Sequence, residues 1–137
     1  QYSLSDSLYE EVLRINPKNT IVLNNYSYYL SLRKEKLELA KKMSKLCNEL
    51  EKNNPTYEDT YAWILYQKGE TESAYKWITK AIENGGGESA VIVEHCGDIL
   101  YKMGRKEDAL KKWIEAEKIG DGSDLLKQKI LHKKLYE

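Results

Sequence analysis

The stretches DTYAWILYQKGETESAYKWITKA (residues 59–81) and EHCGDILYKMGRKEDALKKWIEA (residues 94–116) decide the fold, because they are two versions of one pattern. Placed one above the other, they match at positions 35 residues apart. A third, looser copy lies upstream in NNYSYYLS, where Ser27 and Leu30 fall at the positions of Ala62 and Leu65. The matched pairs are Ile64 and Ile99, Leu65 and Leu100, Tyr66 and Tyr101, Gly69 and Gly104, Glu72 and Glu107, Ala74 and Ala109, Lys76 and Lys111, and Ala81 and Ala116.

The apolar residues within each copy recur at spacings of three and four. Ala74, Trp77, Ile78, Ala81 and Ile82 form one such stripe, which is typical of an amphipathic helix. Strand-like alternation is missing over any useful length, so the sequence predicts an all-α protein. A period of 35 residues with two helices in each unit is the mark of a helical repeat array.

These residues resemble the tetratricopeptide (TPR) repeat. Each unit of that pattern consists of a first helix (helix A), a turn and a second helix (helix B). Helix A has a small residue at its eighth position and a large one at its eleventh, and the turn contains Gly. Helix B then carries Ala, an aromatic residue and Ala. The second unit has Ile78 in place of the aromatic residue, and in the first unit Lys34 replaces the turn Gly and one extra residue precedes Ala40. The resemblance covers residues 5–118. The third unit matches closely, at Gly97, Leu100, Gly104, Ala109, Trp113 and Ala116.

The resemblance implies a single domain over residues 1–137, built as a TPR right-handed superhelix, an α-α solenoid of about three helix-turn-helix repeats. A lone helix B precedes these repeats, so we expect the chain to be the carboxyl-terminal piece of a longer array. A capping helix closes the array. The expected parts are a partial repeat at 5–19, repeats at 20–54, 55–89 and 90–120, and the capping helix at 123–136.

Two local features follow from this register. Gly69 and Gly104 are expected to adopt the positive φ that ends a helix. The capping helix is expected to start at Ser123 or Asp124 and to face outward with its Lys and His side chains. Its inner stripe would consist of Leu126, Ile130 and Leu135.

Composition argues against several classes of function. Lys+Arg and Asp+Glu both number 22, so no net field favours nucleic acid or an anionic membrane. The basic residues near the end, Lys127, Lys129, Lys133 and Lys134, are interpreted as a solvated helix face. No apolar run is long enough for membrane insertion. Cys47 and Cys96 lie in helical patterns and are interpreted as buried free thiols.

The segment EHCGD, at 94–98, brings together residue types used in hydrolytic and metal chemistry. Neighbours on a helix point about 100° apart, so His95 and Cys96 cannot act as a base and nucleophile pair. Glu94 and Asp98 share a face, but two carboxylates without a second His make a poor metal site. We therefore expect no enzyme, catalytic residue, metal or cofactor. A metal or hydrolytic site around Glu94, His95 and Asp98 is the remote alternative.

The resemblance places a peptide-binding groove along the concave wall formed by the A helices. Its aromatic and acidic residues imply a protein or peptide partner, with a basic one favoured. The alternative for Tyr66 and Tyr101 is that their rings pack between adjacent A helices. The candidate groove residues are Asn24, Tyr28, Ser31, Asp59, Trp63, Tyr66, Glu94, Asp98 and Tyr101.

A second hypothesis makes the chain a structural segment of a longer array, packed against its own polypeptide or a second copy. The oligomeric state stays open. The repeats also resemble the carboxyl-terminal repeats of Bacteroides-like bacterial TPR proteins of the cell envelope, which implies a periplasmic or outer-membrane-associated location. The cytoplasm is the alternative.

Overall fold

The structure, a computed structural model, describes residues 2–137 and contains eight α-helices, one short 3₁₀ helix and no strand in that range. Three antiparallel helix pairs, α2 with α3, α4 with α5 and α6 with α7, stack in chain order. The helices are α1 (Tyr2–Ile15), α2 (Thr20–Arg33), α3 (Leu37–Leu50), α4 (Pro55–Gln67), α5 (Thr71–Glu83), α6 (Ala90–Lys102), α7 (Lys106–Ile119) and α8 (Leu126–His132), with the 3₁₀ helix at Gly86–Glu88. The all-helical solenoid predicted from the sequence is confirmed.

The first helix of each pair starts at an equivalent capping residue. Asn19, Asn54 and Ser89 lie 35 residues apart, and each side-chain oxygen accepts a hydrogen bond from the backbone N–H three residues later. The bond lengths are 3.1, 3.2 and 3.3 Å in chain order. Such caps satisfy otherwise unpaired N–H groups at a helix start, and each contributes about 1 kcal/mol. The spacing of these three polar residues is a further sequence signal of the repeat, which was not among our expectations.

The turn within each pair has one geometry in all three repeats. Lys34, Gly69 and Gly104 have φ values of 57°, 83° and 84°. In each case the following residue donates its N–H to a carbonyl five residues back, which satisfies an unpaired helix carbonyl. The predicted role of Gly69 and Gly104 is therefore confirmed. Lys34 adopts this conformation although it is not Gly. The extra residue of the first repeat lies next to this turn, and Lys36 there also has a positive φ, of 47°.

Small side chains lie where the paired helices touch. Ala62 on α4 and Ala74 and Ala81 on α5 are fully buried, and Ala109 and Ala116 repeat this arrangement on α7. Larger side chains fill the layers between pairs. One cluster of buried residues extends from α4 to α8, while a second joins α2 and α3 to Ile64 of α4, so the repeats share a continuous apolar interior.

The carboxyl-terminal segment differs from the predicted capping helix in three respects. Helix α8 covers only Leu126–His132, not residues 123–136. Neither Ser123 nor Asp124 caps it, because Leu125 precedes the helix and makes no side-chain capping bond. Leu126 does face inward, and Ile130 and Leu135 pack against the core. Lys129, expected on the solvated face, is 3% exposed, so that expectation was wrong.

Helix α1 has no buried residue. Tyr9 and Leu13 pack against the α2–α3 core, and the Arg33 guanidinium of α2 holds the Asp6 carboxylate through bonds of 2.8 and 3.2 Å. The opposite side carries an exposed apolar stripe, spaced as on one helix face. Its residues are Leu4, Leu8, Val12 and Ile15, with exposed fractions of 67%, 61%, 37% and 72%.

Replacing Gly97 by Ala should destabilise the protein. A Cβ at this position would lie 2.5 Å from the Trp113 ring, which is itself fully buried and cannot move away. Overpacking costs about 1–3 kcal/mol, and so close an approach to a buried ring places the cost at the upper end of this range. Because helix propensity returns about 1 kcal/mol, we expect a net loss of about 2 kcal/mol. The measurement is the free energy of unfolding in urea.

Gly87→Ala serves as the matched control, because its new Cβ would meet nothing closer than 3.5 Å. A Gly97→Ala variant as stable as the parent protein would contradict this account of the helix contact.

Candidate functional site

The nine candidate groove residues all lie on α2, α4 and α6, along one wall of the solenoid. Seven of them are buried, and Tyr28 and Tyr101 are half-buried. Ser31 donates its hydroxyl to the Tyr28 carbonyl of its own helix at 2.6 Å. Asn24 is 8% exposed, and its side-chain oxygen is buried without a hydrogen-bond partner among residues 2–137. Most of this wall is therefore engaged in contacts inside the molecule.

The acidic part of the wall holds a lysine from the same chain. The Lys129 ammonium of α8 lies 2.6 Å from Glu94 Oε2 and 2.9 and 3.0 Å from the two carboxylate oxygens of Asp98. Glu94 and Asp98 are each 3% exposed, like the lysine. Because they lie four residues apart on α6, both carboxylates face the same point. The predicted pairing of these two residues on one face is what creates the lysine site.

Further donors complete this cluster. Glu94 accepts hydrogen bonds from the backbone N–H of Ser123 at 2.7 Å and from its hydroxyl, and Asp98 accepts one from the Trp113 indole at 3.0 Å. Burial acts to raise the pKa of Glu94, but the bonds from Lys129 and Ser123 outweigh it and lower that pKa. Burial raises the pKa of Asp98 to about 6, although Lys129 opposes the shift. The two pKa values shift in opposite directions because burial dominates at Asp98, whereas Glu94 also receives the two Ser123 donors, which help to outweigh burial there.

A second polar contact joins α4 to α6. His95 Nδ1 lies 2.8 Å from Asp59 Oδ1, and its ring stacks on Trp63 with 4.0 Å between ring centroids. Burial lowers the pKa of His95, but the Asp59 carboxylate, with smaller effects from Asp98 and Glu94, outweighs burial and raises it. Asp59 is therefore paired within the protein. Its partner is His95, one of the residues of the remote metal or hydrolytic alternative.

The tyrosines of the wall also pack internally. Tyr66 is 5% exposed, stacks on Trp63 with 4.4 Å between centroids, and donates its hydroxyl to Glu137 at 2.7 Å. Tyr101 stacks on Trp113 with centroids 5.8 Å apart. Both rings pack inside the molecule, but these contacts are to α4 itself, to Glu137 and to α7, so the alternative that they pack between adjacent A helices stays a prediction. The contact with Glu137 shows that the last residues of the chain fold back onto α4.

A cleft of about 450 Å³ stays open between this wall and the carboxyl-terminal segment. Its apolar lining includes Leu32 and Val91, which are 49% and 42% exposed, together with Tyr28 and Trp63. The Trp63 indole Nε1 is buried without a hydrogen-bond partner among residues 2–137. Leu32 was not a candidate from the sequence, because it lies one residue beyond the last groove position of its helix.

A second cleft of about 430 Å³ lies between α1 and α2. Tyr2, Tyr9 and Tyr29 line it, beside the ion pair of Arg33 and Asp6. The sequence pattern did not predict this cleft, because it forms only where α1 and α2 cross.

The side chains of the EHCGD segment, residues 94–98, that could take part in hydrolytic or metal chemistry point in different directions. Glu94 and Asp98 hold Lys129, whereas His95 faces Asp59. In the part of the chain that the structure describes, no three His, Cys, Asp or Glu side chains form a group that could hold a metal ion. Both cysteines are buried free thiols, as predicted. Burial raises the pKa of Cys96 to about 11 and that of Cys47 to about 12, so both stay protonated and unreactive near neutral pH.

The stacked helix pairs, their capped starts and their left-handed turns define a helical-repeat protein with a concave wall. The fold is that of a TPR solenoid. Among residues 2–137, no helix has the length and apolar character that crossing a bilayer requires.

Comparisons with known proteins support the resemblance to the TPR family. No protein-family model matches the chain. TPR repeat-containing protein MJ1428 of Methanocaldococcus jannaschii is 27% identical over 130 residues, which cover 90% of this chain and 23% of that protein. The chain thus spans less than a quarter of the length of this curated relative.

Solved structures of TPR proteins are similar in fold. MamA has a TM-score of 0.76 at 17% identity, with 93% of this chain and 74% of MamA covered. TTC0263, a thermophilic TPR protein of Thermus thermophilus, has a TM-score of 0.78 at 16% identity, with 93% and 70% covered. YrrB, described as a TPR protein with an unusual peptide-binding site, has a TM-score of 0.68 at 20% identity, with 82% and 57% covered.

The pKa of His95 should lie above its usual 6.5 and fall when Asp59 is replaced by Asn, because burial then acts without the carboxylate. A raised pKa means that the folded protein binds the proton more tightly than the unfolded chain. The stabilisation is therefore fully present below pH 6.5 and is lost as the pH rises through the raised value. NMR titration of the His95 ring measures the pKa, and urea unfolding at several pH values measures the stabilisation.

Asp108→Asn is the control for this experiment, because Asp108 is paired with Arg105 at the start of α7. An unchanged His95 pKa in the Asp59→Asn variant would show that the contact between the two side chains is not the cause of the shift.

Proposed function

We propose that this chain is a non-catalytic protein-interaction scaffold that holds a peptide or protein segment in the concave cleft. The single observation that carries the proposal is the open cleft itself. It exposes Leu32 and Val91 beside the aromatic rings of Tyr28 and Trp63 at the centre of the wall. Exposed apolar side chains around a concave surface are typical of sites that bind another chain.

The comparisons support this proposal at the level of the fold. Each similar structure is a helical-repeat protein of the same architecture, and YrrB is described as having a peptide-binding site. Extending peptide binding from that protein to this chain is part of the proposal, as is the absence of enzymatic activity. Four of the candidate groove residues from the sequence line the cleft, namely Tyr28, Trp63, Glu94 and Asp98, and the others serve as its framework.

A basic partner is also part of the proposal. Two carboxylates, Glu94 and Asp98, face a single ammonium, and Glu137 adds a third carboxylate at the rim of the same cleft. Lys34 and Lys129 offset part of this charge. With His95 neutral, the carboxylates of the lining exceed the ammonium groups by one, and this excess favours a segment that carries lysine or arginine.

The second candidate function is structural, as a segment of a longer array that packs against its own polypeptide or a second copy. The exposed stripe on α1 favours it, because Val12 in this stripe corresponds to Ala81 on α5 and Ala116 on α7, which are both fully buried. In this interpretation the second cleft, at Tyr9 and Tyr29, is part of the contact. Attachment to a bacterial cell envelope is a proposal that rests on the resemblance of the repeats alone.

Photo-crosslinking tests the cleft directly. Benzoylphenylalanine replaces Leu32 or Val91 in the cleft, and Leu39 or Ile114 as controls of similar exposure on α3 and α7. Each variant is irradiated in extracts of the source organism. We expect a protein segment to be linked at the two cleft positions and at neither control, with mass spectrometry identifying the linked peptide.

Equal labelling at all four positions would contradict the proposed function. Links only to other copies of this chain would favour the structural role.

A further inference from the structure

The Lys129 site is formed by groups that recognise an ammonium ion rather than by general packing. Lys129 Nζ donates to three oxygens of two carboxylates, at 2.6, 2.9 and 3.0 Å. Both carboxylates come from α6, so the receiving half of the site belongs to the solenoid and the ammonium belongs to the carboxyl-terminal segment. Two negative charges against one positive charge leave a site that requires a cationic occupant.

The segment that delivers Lys129 is short. Helix α8 has seven residues, and only Leu126 and Lys129 are buried within it, while Leu131 is 74% exposed. Residues 120–125 precede it without regular helical or strand structure, and Gly120 and Asp121 both have positive φ values. Short elements with few buried side chains open locally at a lower free energy than the rest of a protein. Opening of this segment alone would leave the three helix pairs folded.

The repeat register shows what kind of group fits this site. Lys129 follows Glu94 by 35 residues, so α8 lies against α6 and α7 where the first helix of another repeat would lie. Leu126, three residues before the lysine, is buried, and Ile130, next to it, packs against the core. A helix with aliphatic residues at these two positions around a lysine presents the same three side chains.

We propose that Glu94 and Asp98 form a lysine-binding site for an amphipathic helix of a protein partner, and that α8 is its intramolecular occupant. The partner helix carries a lysine with aliphatic residues three positions before it and one after it, and it displaces α8. This inference rests on the proposed function, because it names the chemistry of the partner that the concave wall accepts. Because α8 competes for the site, the apparent affinity of the partner is its intrinsic affinity multiplied by the fraction of time that the site is open.

A synthetic peptide with the sequence of residues 121–137 tests the site in trans. It is titrated into the full chain and into the full-length Lys129→Gln variant, in which the internal ammonium is removed. The indole N–H of Trp113, which donates to Asp98, reports on the site by NMR. We expect the Lys129→Gln chain to bind the peptide at least about ten times more tightly than the parent chain, since its own segment no longer competes.

Two matched controls isolate the lysine. A peptide with Gln at the position of Lys129 should bind the variant chain at least about ten times more weakly than the parent peptide. A Lys133→Gln chain should bind the peptide like the parent chain, because Lys133 is exposed in the same segment. Equal binding of both peptides, or no binding to a Lys129→Gln chain that keeps its helical circular dichroism, would overturn the proposal.

Hydrogen exchange on the unaltered chain provides a test that does not depend on a folded variant. Amides of α8 should exchange faster than those of α6 and faster still when the peptide is added. Amides of α8 that exchange as slowly as those of α6 would show that the segment opens only with the whole protein, and the proposal would fail. Dimers of the Lys129→Gln chain in sedimentation, without peptide binding, would assign the site to a second copy and equally overturn it.

The failure of this inference is distinct from the failure of the proposed function. Crosslinking of a partner at Leu32 and Val91 without peptide binding would refute the lysine site alone. Peptide binding without any crosslinked partner would support the lysine site and refute the proposed function.

Discussion

The two helices of each repeat approach closely because small side chains lie where their backbones face each other. In the second repeat Ala62 meets α5 at Ala74 and Ala81, and in the third the corresponding place on α6 is Gly97, against which the Trp113 ring lies directly. This close contact fixes the distance between the paired helices, and the larger side chains then fill the space between repeats. It also places the Trp113 indole against Asp98, so the polar wall depends on the same contact.

Polar groups on the concave wall connect one repeat to the next. Asp59 pairs with His95, which lies 36 residues later, and Glu94 pairs with Lys129, 35 residues later. Buried ion pairs of this kind add little net stability, because the loss of hydration offsets the attraction between the charges. These pairs instead fix how neighbouring repeats are aligned, because any other alignment would leave a buried charge unpaired at a high cost in free energy. Charged residues at groove positions therefore do not by themselves identify a ligand-binding surface.

The carboxyl-terminal segment completes this wall and shapes what remains open. Lys129 and Glu137 engage α6 and α4 from the same side, and the cleft between Leu32 and Val91 is the space they leave. In the binding mode that we propose, recognition of a partner uses the same chemistry as the stacking of repeats, because in both cases a helix packs on the exposed side of the preceding pair. A partner helix would therefore compete with the chain's own last helix for the same carboxylates.

The sequence by itself determined the helical class, the 35-residue register, the turns at Gly69 and Gly104 and the small residues between paired helices. These features depend on contacts within one repeat, so they leave a periodic trace along the chain. It also placed Glu94 and Asp98 correctly on one helix face. Only the tertiary structure decided that these carboxylates hold Lys129, that Tyr66 bonds Glu137 and that Leu32 stays exposed. The contact of Tyr66 with Glu137 joins residues 71 positions apart and lies outside the period. The period places residue 129 opposite Glu94, but it does not encode whether the side chain there is buried against the carboxylates or faces solvent.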